Sequence, residues 1–340
     1  MCEVLTFTSL NLRCTCWCVV NENGSELPTK PADGRAKSMS RFLIVAILAL
    51  ASGSNAQSDP AYAGPWRNEL DSCWTRPVSE CNRALTIVHG GDWNIEYPYD
   101  SMPAFQRGFD NQADVVKGDF RVNKENVGMV MHSSPIEVYE SINCFHKKVE
   151  EMTTAECEKC KMEITSYNFT SAPELLSWSA GKVNVMFCVK EQRDIPRAMS
   201  TLVESNASHR ALLEISVSLI IQAAATNTPH WDEVYYIAEL STPADVQLLS
   251  TQPQAVISRC LLLEFKDWEK WGPTLSSDLA LVHKMGLRAV GVTASNSLQA
   301  TKGAHLDIWH AGFDVVYTYN LGNAVEARVE VNTERGLPMP

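Results

Sequence analysis

The chain has 340 residues, of which 45% are hydrophobic and 20% charged, so it is long and apolar enough to form one large globular domain. Its formal net charge of -11 argues against a nucleic-acid-binding surface, because phosphate backbones require clustered lysine and arginine side chains. The net charge does not restrict binding of small ligands.

The amino-terminal part of the chain contains a segment typical of secretion. Residues 1–38 show no clear apolar period, whereas MSRFLIVAILALASGSNAQ, starting at Met39, has a basic residue, a short apolar run and small residues before Gln57. The apolar run of about ten residues is too short to span a bilayer, which requires roughly 20. We therefore predict a signal peptide at 39–56 and regard residues 1–38 as a doubtful upstream extension. The alternative is a genuine cytosolic extension before an uncleaved signal anchor.

A signal peptide predicts a secreted, extracellular product with no stable membrane span after cleavage. No other stretch of the sequence is long and apolar enough to span a membrane. The sequons Asn-Phe-Thr and Asn-Ala-Ser predict glycosylation of Asn168 and Asn206.

The cysteines after the signal peptide are expected to pair in an oxidising compartment. They are Cys73, Cys81, Cys144, Cys157, Cys160, Cys188 and Cys260. Local pairing predicts a Cys73–Cys81 disulfide, and a disulfide of Cys144 with Cys157 or Cys160. The odd number leaves at least one thiol, for which we expect Cys188 because it lies inside a predicted strand. The spacing of Cys157 and Cys160 also fits zinc, but no second cysteine pair and no nearby histidine accompany it.

After a cysteine-containing lead-in segment at 57–83, short strand-like runs alternate with helical spacers. The predicted strands are 84–89, 114–120, 127–132, 182–189, 211–217, 232–238, 260–265, 288–294 and 314–319. The helical candidates include 102–110, 195–205, 243–251 and 276–286. This alternation predicts an α/β fold, a (β/α)8 TIM-type barrel at 84–330. A doubly wound sheet is the competing fold, but His89-Gly90-Gly91 lacks the third glycine of a dinucleotide-binding loop.

Several titratable residues fall at or near the carboxyl ends of these predicted strands, where such barrels carry their chemistry. They are His89, Asp119, Arg121, His132, Lys190, Glu214 and Glu239. A histidine pair can act as general base and general acid, and cationic side chains stabilise charge that develops on phosphorus. The set therefore favours phosphoryl chemistry with His89 and His132 as the catalytic residues.

Lys117 is an unusual residue because it lies in the middle of the predicted strand 114–120. An ammonium group inside a barrel is costly unless an anion meets it. Side chains alternate between the two faces of a strand, so Lys117 and Asp119 share one face. We therefore expect an ion pair between them in the barrel interior.

The order of motifs along the chain resembles the glycerophosphodiester phosphodiesterase family. The similar segments are His89, SMPAF, ADVVKGD, VGMVMHS, VKEQ at 189–192, KMGLRAVGVTASN and HAGFDVVYTYNLG. The resemblance implies a PLC-like phosphodiesterase TIM barrel, hydrolysis of a glycerophosphodiester or phospholipid head group, and Mg²⁺ or Ca²⁺ as cofactor. It also implies that His89 and His132 are catalytic, that Asp119 is a metal ligand and that Lys190 is the lysine of the fourth strand.

The sequence departs from the family pattern at several acidic positions. Lys117 replaces the glutamate of Glu-x-Asp, Cys188 replaces the glutamate before the strand-four lysine, and the Glu-Asn-Thr segment reads Tyr99-Asp100-Ser101. Glu96 is a nearby stand-in for the last of these acids. Gly90 replaces an arginine and Ser133 an aspartate. Hard cations require several oxygen ligands, so the family's divalent cation is doubtful here.

Three functions remain open on the sequence alone. In the first, Lys117, Arg121 and Lys190 bind a phosphodiester while His89 and His132 transfer protons without a metal ion. This arrangement is similar to that of metal-free bacterial phosphatidylinositol-specific phospholipases. The second is a pseudoenzyme that binds an anionic or phosphorylated ligand. The third is a structural extracellular barrel.

Two further pairs of residues have simpler interpretations. Trp268 and Trp271 follow an apolar strand and are expected to pack in the core or at its rim. His305 and His310 lack the helical spacing and the partner acid of a zinc protease, so we interpret them as surface histidines.

Overall fold

The computed structural model describes residues 81–162, 165–293 and 298–337. The predictions for the upstream extension, the signal peptide and Cys73 lie outside this part of the chain.

Within the described residues, eight parallel strands close into a barrel. The strands are β1 (Leu85–His89), β2 (Val115–Val122), β4 (Asn184–Val189), β5 (Ala211–Ser216), β6 (Tyr235–Leu240), β7 (Cys260–Phe265), β8 (Arg288–Val292) and β9 (Val315–Thr318). A further strand, β3 (Gly128–Val130), pairs antiparallel with β2 outside the barrel order. Pairing of β1 with both β2 and β9 closes the sheet. The predicted (β/α)8 TIM-type barrel is therefore confirmed.

Helices connect the strands on the outside of the barrel. They are α1 (Met102–Asp110), α2 (Ala172–Ser179), α3 (Ile195–Glu204), α4 (Val217–Ala225), α5 (Pro243–Ser250), α6 (Leu275–Lys284), α7 (Lys302–His310) and α8 (Leu321–Glu334). Shorter helical turns are Val149–Glu151, Thr154–Cys157, Gln192–Asp194, Gln254–Ile257 and Trp268–Thr274. The start of α1 is set locally, because the Ser101 side chain accepts a hydrogen bond from the backbone N–H of Ala104 and Pro103 stands in the first turn.

The two faces of each barrel strand pack in different layers. Side chains such as Ile87, Val115, Met186 and Leu212 form the apolar filling inside the barrel. Their immediate neighbours in sequence, such as Val88, face the helices in the larger outer core. Since inward positions recur every second residue, the residues two places after this apolar layer point into the carboxyl end of the barrel.

Buried charged groups lie around the amino end of the barrel. The Arg328 guanidinium, 1% exposed, lies 2.7 Å from an Asp114 carboxylate oxygen and also donates to the Thr86 hydroxyl. Arg288 at the start of β8 is equally buried and donates to the Cys81 carbonyl oxygen at 2.9 Å.

A segment inserted between β3 and α2 forms its own small core. Cys144 and Cys160 are joined by a disulfide within it, whereas Cys157, buried in the same cluster, keeps its thiol. The alternative Cys144–Cys157 pair is therefore wrong. Cys188 also keeps its thiol, as expected, and so does Cys260. Cys81 is disulfide-bonded, but the predicted pairing with Cys73 stays a prediction because Cys73 lies outside the described residues.

The structure shows where the two tryptophans and the two histidines without a predicted catalytic role lie. Trp271 is buried against Phe265, and Trp268 is partly buried at the edge of the core, as predicted. His310 is exposed and pairs with Glu334 at 2.9 Å. The surface prediction is wrong for His305, which is fully buried on α7 with its Nε2 2.6 Å from the Thr318 hydroxyl.

Among the described residues, no helix is both long enough and apolar enough to cross a membrane.

Candidate active site

The carboxyl end of the barrel brings together side chains from strands that are adjacent in the sheet. His89 at the end of β1 is in register with Lys117 of β2, and Asp119 is in register with Cys188 of β4. Lys190 follows β4 directly. The structure thus brings His89, Asp119 and Lys190 to one rim of the barrel, as expected from the sequence. They are neighbours because the strands pair in parallel register.

The Asp119 carboxylate is the centre of the site. Its Oδ1 accepts hydrogen bonds from the ammonium groups of Lys117 and Lys190, the latter at 2.8 Å. Its Oδ2 accepts a hydrogen bond from the Tyr99 hydroxyl at 2.6 Å. Lys117 and Asp119 are fully buried, so the ion pair expected from their alternation is present in the barrel interior.

Electrostatics keep this buried pair ionised. Burial would raise the pKa of Asp119, but the nearby Lys117 and Lys190 ammonium groups hold it well below its usual value. Burial would lower the pKa of Lys117, and the Asp119 carboxylate reverses that shift and raises it above its usual value. Two ammonium groups thus share one carboxylate here, and the buried Glu214 lies on the next strand, in register with Cys188.

Tyr99 occupies the middle of the site and was not recognised from sequence as a functional residue. Its hydroxyl accepts a hydrogen bond from Lys117 Nζ at 2.7 Å while donating to Asp119. Burial is the main reason that the pKa of Tyr99 is raised well above its usual value. Gly90, nine residues earlier in the chain, has φ +68°, and a Cβ atom at that position would overlap the Tyr99 ring. Gly90, where the resembling family has an arginine, therefore makes room for Tyr99, where that family has a glutamate.

Asp100 is a second buried carboxyl group next to Asp119. Its Oδ2 accepts a hydrogen bond from the backbone N–H of Asp119 at 3.1 Å, and the side chain is 1% exposed. Burial, and then the neighbouring Asp119 charge, raise the pKa of Asp100 well above its usual value. The Asp100 carboxyl group is therefore easier to protonate than an ordinary aspartate.

His89 lies against aromatic rings and is only 6% exposed. Its imidazole stacks on Tyr319 with 4.2 Å between centroids, and its Nε2 is 3.4 Å from the Tyr99 hydroxyl. Its Nδ1 is buried and has no hydrogen-bond partner among the described residues. Burial, and then the Lys117 charge, hold the pKa of His89 well below its usual value, so the ring is neutral near pH 7.

His132 follows β3 and returns to the mouth of the barrel on the insertion. A buried carboxylate fixes its backbone: Glu140 Oε1 accepts from the N–H groups of His132 and Ser133 at 3.1 and 3.0 Å. Its Nδ1 is 3.0 Å from both the Ser133 and the Tyr139 hydroxyl oxygens. The Tyr99 ring stands between the two histidines, with centroids 5.0 Å from His89 and 6.1 Å from His132.

Two predicted site residues lie away from the cluster. Arg121 Nε donates to the His132 carbonyl oxygen at 2.8 Å, and its guanidinium pairs with Glu191 at 3.3 Å. Arg121 therefore holds the backbone of His132 in place just after β3. Glu96 is exposed in the loop after β1, and it is Tyr99 rather than Glu96 that reaches Asp119.

The donor groups at this rim do not suit a divalent cation. No group of three or more His, Cys, Asp or Glu side chains in the described part of the chain is arranged to hold a metal ion. Asp119 is engaged by two ammonium groups, and a phenol and a thiol stand where the resemblance places carboxylates. Magnesium and calcium require several oxygen ligands, and Asp119 is the one carboxylate left at the positions where the resemblance expects metal ligands.

The space above the cluster is narrow. A crevice of about 10 Å³, roughly the room for one water molecule, is lined by Pro98, Tyr99, Asp100, His132, Tyr139, Glu140, Met162 and Phe169. A wider depression of about 620 Å³ lies near the amino end of the barrel, between the ends of α2 and α3. The depression is lined in part by exposed Asn206, whereas the crevice is lined by Tyr99, Asp100 and His132, so it is the crevice that adjoins the site.

Comparisons with known proteins identify the fold. No protein-family model and no curated protein matches the chain. Among solved structures, a glycerophosphoryl diester phosphodiesterase from Parabacteroides distasonis is 16% identical, with a TM-score of 0.62 over 81% of this chain and 93% of that one. A glycerophosphodiester phosphodiesterase from Agrobacterium tumefaciens is 12% identical, with a TM-score of 0.56 over 72% and 99%. An Oleispira antarctica phosphodiesterase in complex with its product sn-glycerol-3-phosphate is 14% identical, with a TM-score of 0.54 over 72% and 96%.

These likenesses define the class of fold. The chain has the TIM-barrel fold of the glycerophosphodiester phosphodiesterases, which confirms the resemblance at the level of architecture. At such low sequence identity a shared fold does not by itself assign an activity.

Proposed function

We propose that the protein is a phosphoric diester hydrolase of the glycerophosphodiester type that works without a divalent cation. The observation that carries the proposal is the pair of ammonium groups, Lys117 and Lys190, that meet Asp119 at the carboxyl end of the barrel. A phosphodiester is an anion, and these two ammonium groups supply positive charge that would meet it. The substrate class is a glycerophosphodiester or a phospholipid head group.

The two histidines supply the proton transfers. Neutral His89 accepts a proton from the attacking water as the water oxygen bonds to phosphorus, and protonated His132 donates its proton to the leaving alkoxide as the other phosphorus–oxygen bond breaks. Lys117 and Lys190 stabilise the charge on the phosphoryl oxygens in place of a metal ion. The Tyr99 phenol lies among these groups, so its ring must swing aside for a phosphate to reach both lysines. Arg121 acts through His132, which it holds in place.

Hydrolysis of glycerophosphocholine and of an aryl phosphodiester, with and without a chelator, tests the proposal. We expect turnover that the chelator does not change. Substitution of His89→Asn or His132→Asn should each lower turnover by about 10²- to 10⁴-fold, the usual contribution of a general acid or base. Loss of activity on chelation would refute the metal-free mechanism.

The assigned positions have a separate test. Three substitutions, Tyr99→Glu, Lys117→Glu and Cys188→Glu, place carboxylates around Asp119, and we expect them to create magnesium binding measurable by calorimetry. The unaltered protein is the matched control and should show none. A folded triple variant without any gain in binding would show that the positions are assigned wrongly.

A second candidate function is binding of an anionic or phosphorylated ligand without turnover. The position of the Tyr99 ring between the two imidazoles favours it, because the histidines do not share an open pocket in this conformation. Calorimetric binding of glycerophosphocholine without any hydrolysis would select this function. A structural barrel predicts neither binding nor hydrolysis.

We also propose that the protein is secreted and glycosylated. Asn168 and Asn206 are both exposed, which supports their use as acceptor sites. Recovery of the protein from culture medium, with a mobility shift after glycosidase treatment that Asn168→Gln with Asn206→Gln abolishes, is the expected result.

A further inference from the structure

Large apolar side chains are unevenly distributed over the surface of the described residues. Those that are exposed are Trp93, Val138, Tyr139, Ile142, Phe145, Tyr167, Leu248 and Leu298. Except for Leu248 on α5, all lie in the loop after β1, in the insertion between β3 and α2, or in the loop after β8. These three segments lie at the carboxyl end of the barrel. We call six of the seven residues they contribute the apolar rim, leaving out Tyr167 because it adjoins the sequon at Asn168.

Two residues of the apolar rim contact the candidate active site. The Trp93 ring meets Tyr99 edge to face with 6.0 Å between centroids. The Tyr139 ring is 6.4 Å from that of His132, and its hydroxyl reaches His132 Nδ1 at 3.0 Å. A surface on which the apolar rim rests would therefore lie directly over the phosphodiester site.

The residue types of the rim indicate what it contacts. Tryptophan and tyrosine, with an apolar body and a polar tip, are suited to the boundary between lipid acyl chains and water. Val138, Ile142 and Phe145, which are 52%, 59% and 39% exposed, add apolar area beside them. Monomeric soluble proteins rarely leave such side chains grouped together without a partner.

The charge of the rim distinguishes between kinds of lipid. The insertion that carries most of the rim, residues 131–171, contains four lysines, of which Lys147 and Lys148 follow Phe145 closely, and seven glutamates, so its formal charge is -3. Attraction to anionic membranes requires an excess of basic residues, which neither the insertion nor the whole chain, with its net charge of -11, provides. A zwitterionic surface is therefore the better match.

We propose that the apolar rim docks the mouth of the barrel onto a zwitterionic phospholipid surface. The inference rests on the proposed function, which it deepens, because docking brings the phosphodiester of a lipid head group to the lysine cluster. The insertion of Ile142 and Phe145 among the head groups supplies the apolar contact, and Trp93 and Tyr139 remain at the interface beside the site.

Sedimentation of the protein with phosphatidylcholine vesicles tests the docking. The measurement uses the secreted protein with its glycans in place. We expect binding that is insensitive to salt and that Ile142→Ser with Phe145→Ser weakens by about tenfold or more, since two apolar side chains leave the lipid. Leu248→Ser is the matched control and should bind like the unaltered protein. Thermal unfolding of each variant confirms that it is folded.

Two results would overturn the docking. One is the absence of binding to phosphatidylcholine, whether or not phosphatidylserine vesicles bind in a salt-sensitive manner. The other is self-association through the rim, detected by light scattering as a dimer that Ile142→Ser with Phe145→Ser dissociates.

The docking and the proposed function fail in different ways. Hydrolysis of soluble glycerophosphocholine does not require a lipid surface, so Ile142→Ser with Phe145→Ser should leave it unchanged. Vesicle binding that depends on these two residues, in a protein without hydrolysis, supports the docking and refutes the activity. Hydrolysis without vesicle binding supports the activity and refutes the docking.

Discussion

Replacing Asp119 with asparagine should destabilise the protein far more than removing its partner Lys117. Asp119→Asn keeps the shape of the side chain but leaves the Lys117 and Lys190 ammonium groups facing each other, one of them fully buried and the other 10% exposed. Leaving a buried charge unpaired costs about 3–5 kcal/mol. For a barrel of this size that corresponds to a fall in Tm of roughly 6–20 °C.

The matched variant Lys117→Met leaves Asp119 paired with Lys190 at 2.8 Å and with the Tyr99 hydroxyl at 2.6 Å. Its cost should be on the order of 1 kcal/mol, because it also removes a buried ammonium group. The double variant should be more stable than Asp119→Asn alone, since only Lys190 is then left unpaired.

Thermal unfolding followed by circular dichroism measures all three variants. The reasoning is refuted if Asp119→Asn unfolds within about 2 °C of the unaltered protein. It is also refuted if Lys117→Met is the more destabilising substitution.

The same pair sets the pH range of stability. The pKa of Asp119 is lowered in the folded state, so its contribution is complete above the unfolded value of about 3.9 and is lost as the pH falls toward the folded value. The pKa of Lys117 is raised, so its contribution is complete below about 10.4 and is lost as the pH rises through the folded value. Asp119→Asn should therefore reduce the loss of stability at acid pH.

Other predictions follow from neighbouring groups. Gly90→Ala should displace the Tyr99 ring and lower the stability by about 1–3 kcal/mol, whereas the control Gly181→Ala, with φ +70° and open space around it, should cost less. The pKa of His89 is lowered by burial and by Lys117, so its imidazole NMR signals should show no titration near pH 6.5. Because the unfolded chain protonates His89 near pH 6.5 and the folded one does not, this group lowers stability as the pH falls below 6.5, and His89→Asn should remove that loss. Titration of the His89 signals with an ordinary midpoint would contradict the buried, neutral assignment.

Much of the fold followed from local patterns in the sequence. The helix over 102–110 was predicted with its observed bounds, because Ser101 and Pro103 define its start independently of the rest of the molecule. The Lys117–Asp119 ion pair followed from the period of two along a strand. These patterns depend only on residues that are close in sequence, so they can be recognised without a structure.

The residues that were misjudged depend on contacts between distant segments. Tyr99 lies in a loop whose path depends on the positive φ of Gly90, so its approach to Asp119 is not visible in the sequence. His305 was expected at the surface but is buried, because Thr318 on a neighbouring strand offers its Nε2 a partner. Arg121 alternates with Asp119 along β2, but it lies where the strand extends beyond the rim to pair with β3.

The buried guanidinium of Arg328 and its aspartate partner at the amino end have a consequence for evolution as well as for stability. A change of either residue alone leaves a buried charge unpaired, at a cost of about 3–5 kcal/mol, so substitutions there are disfavoured. The loops around Trp93 and the disulfide-linked insertion carry no such penalty, so they can vary in sequence, and in what they recognise, while the attachment of the last helix to the sheet stays constant.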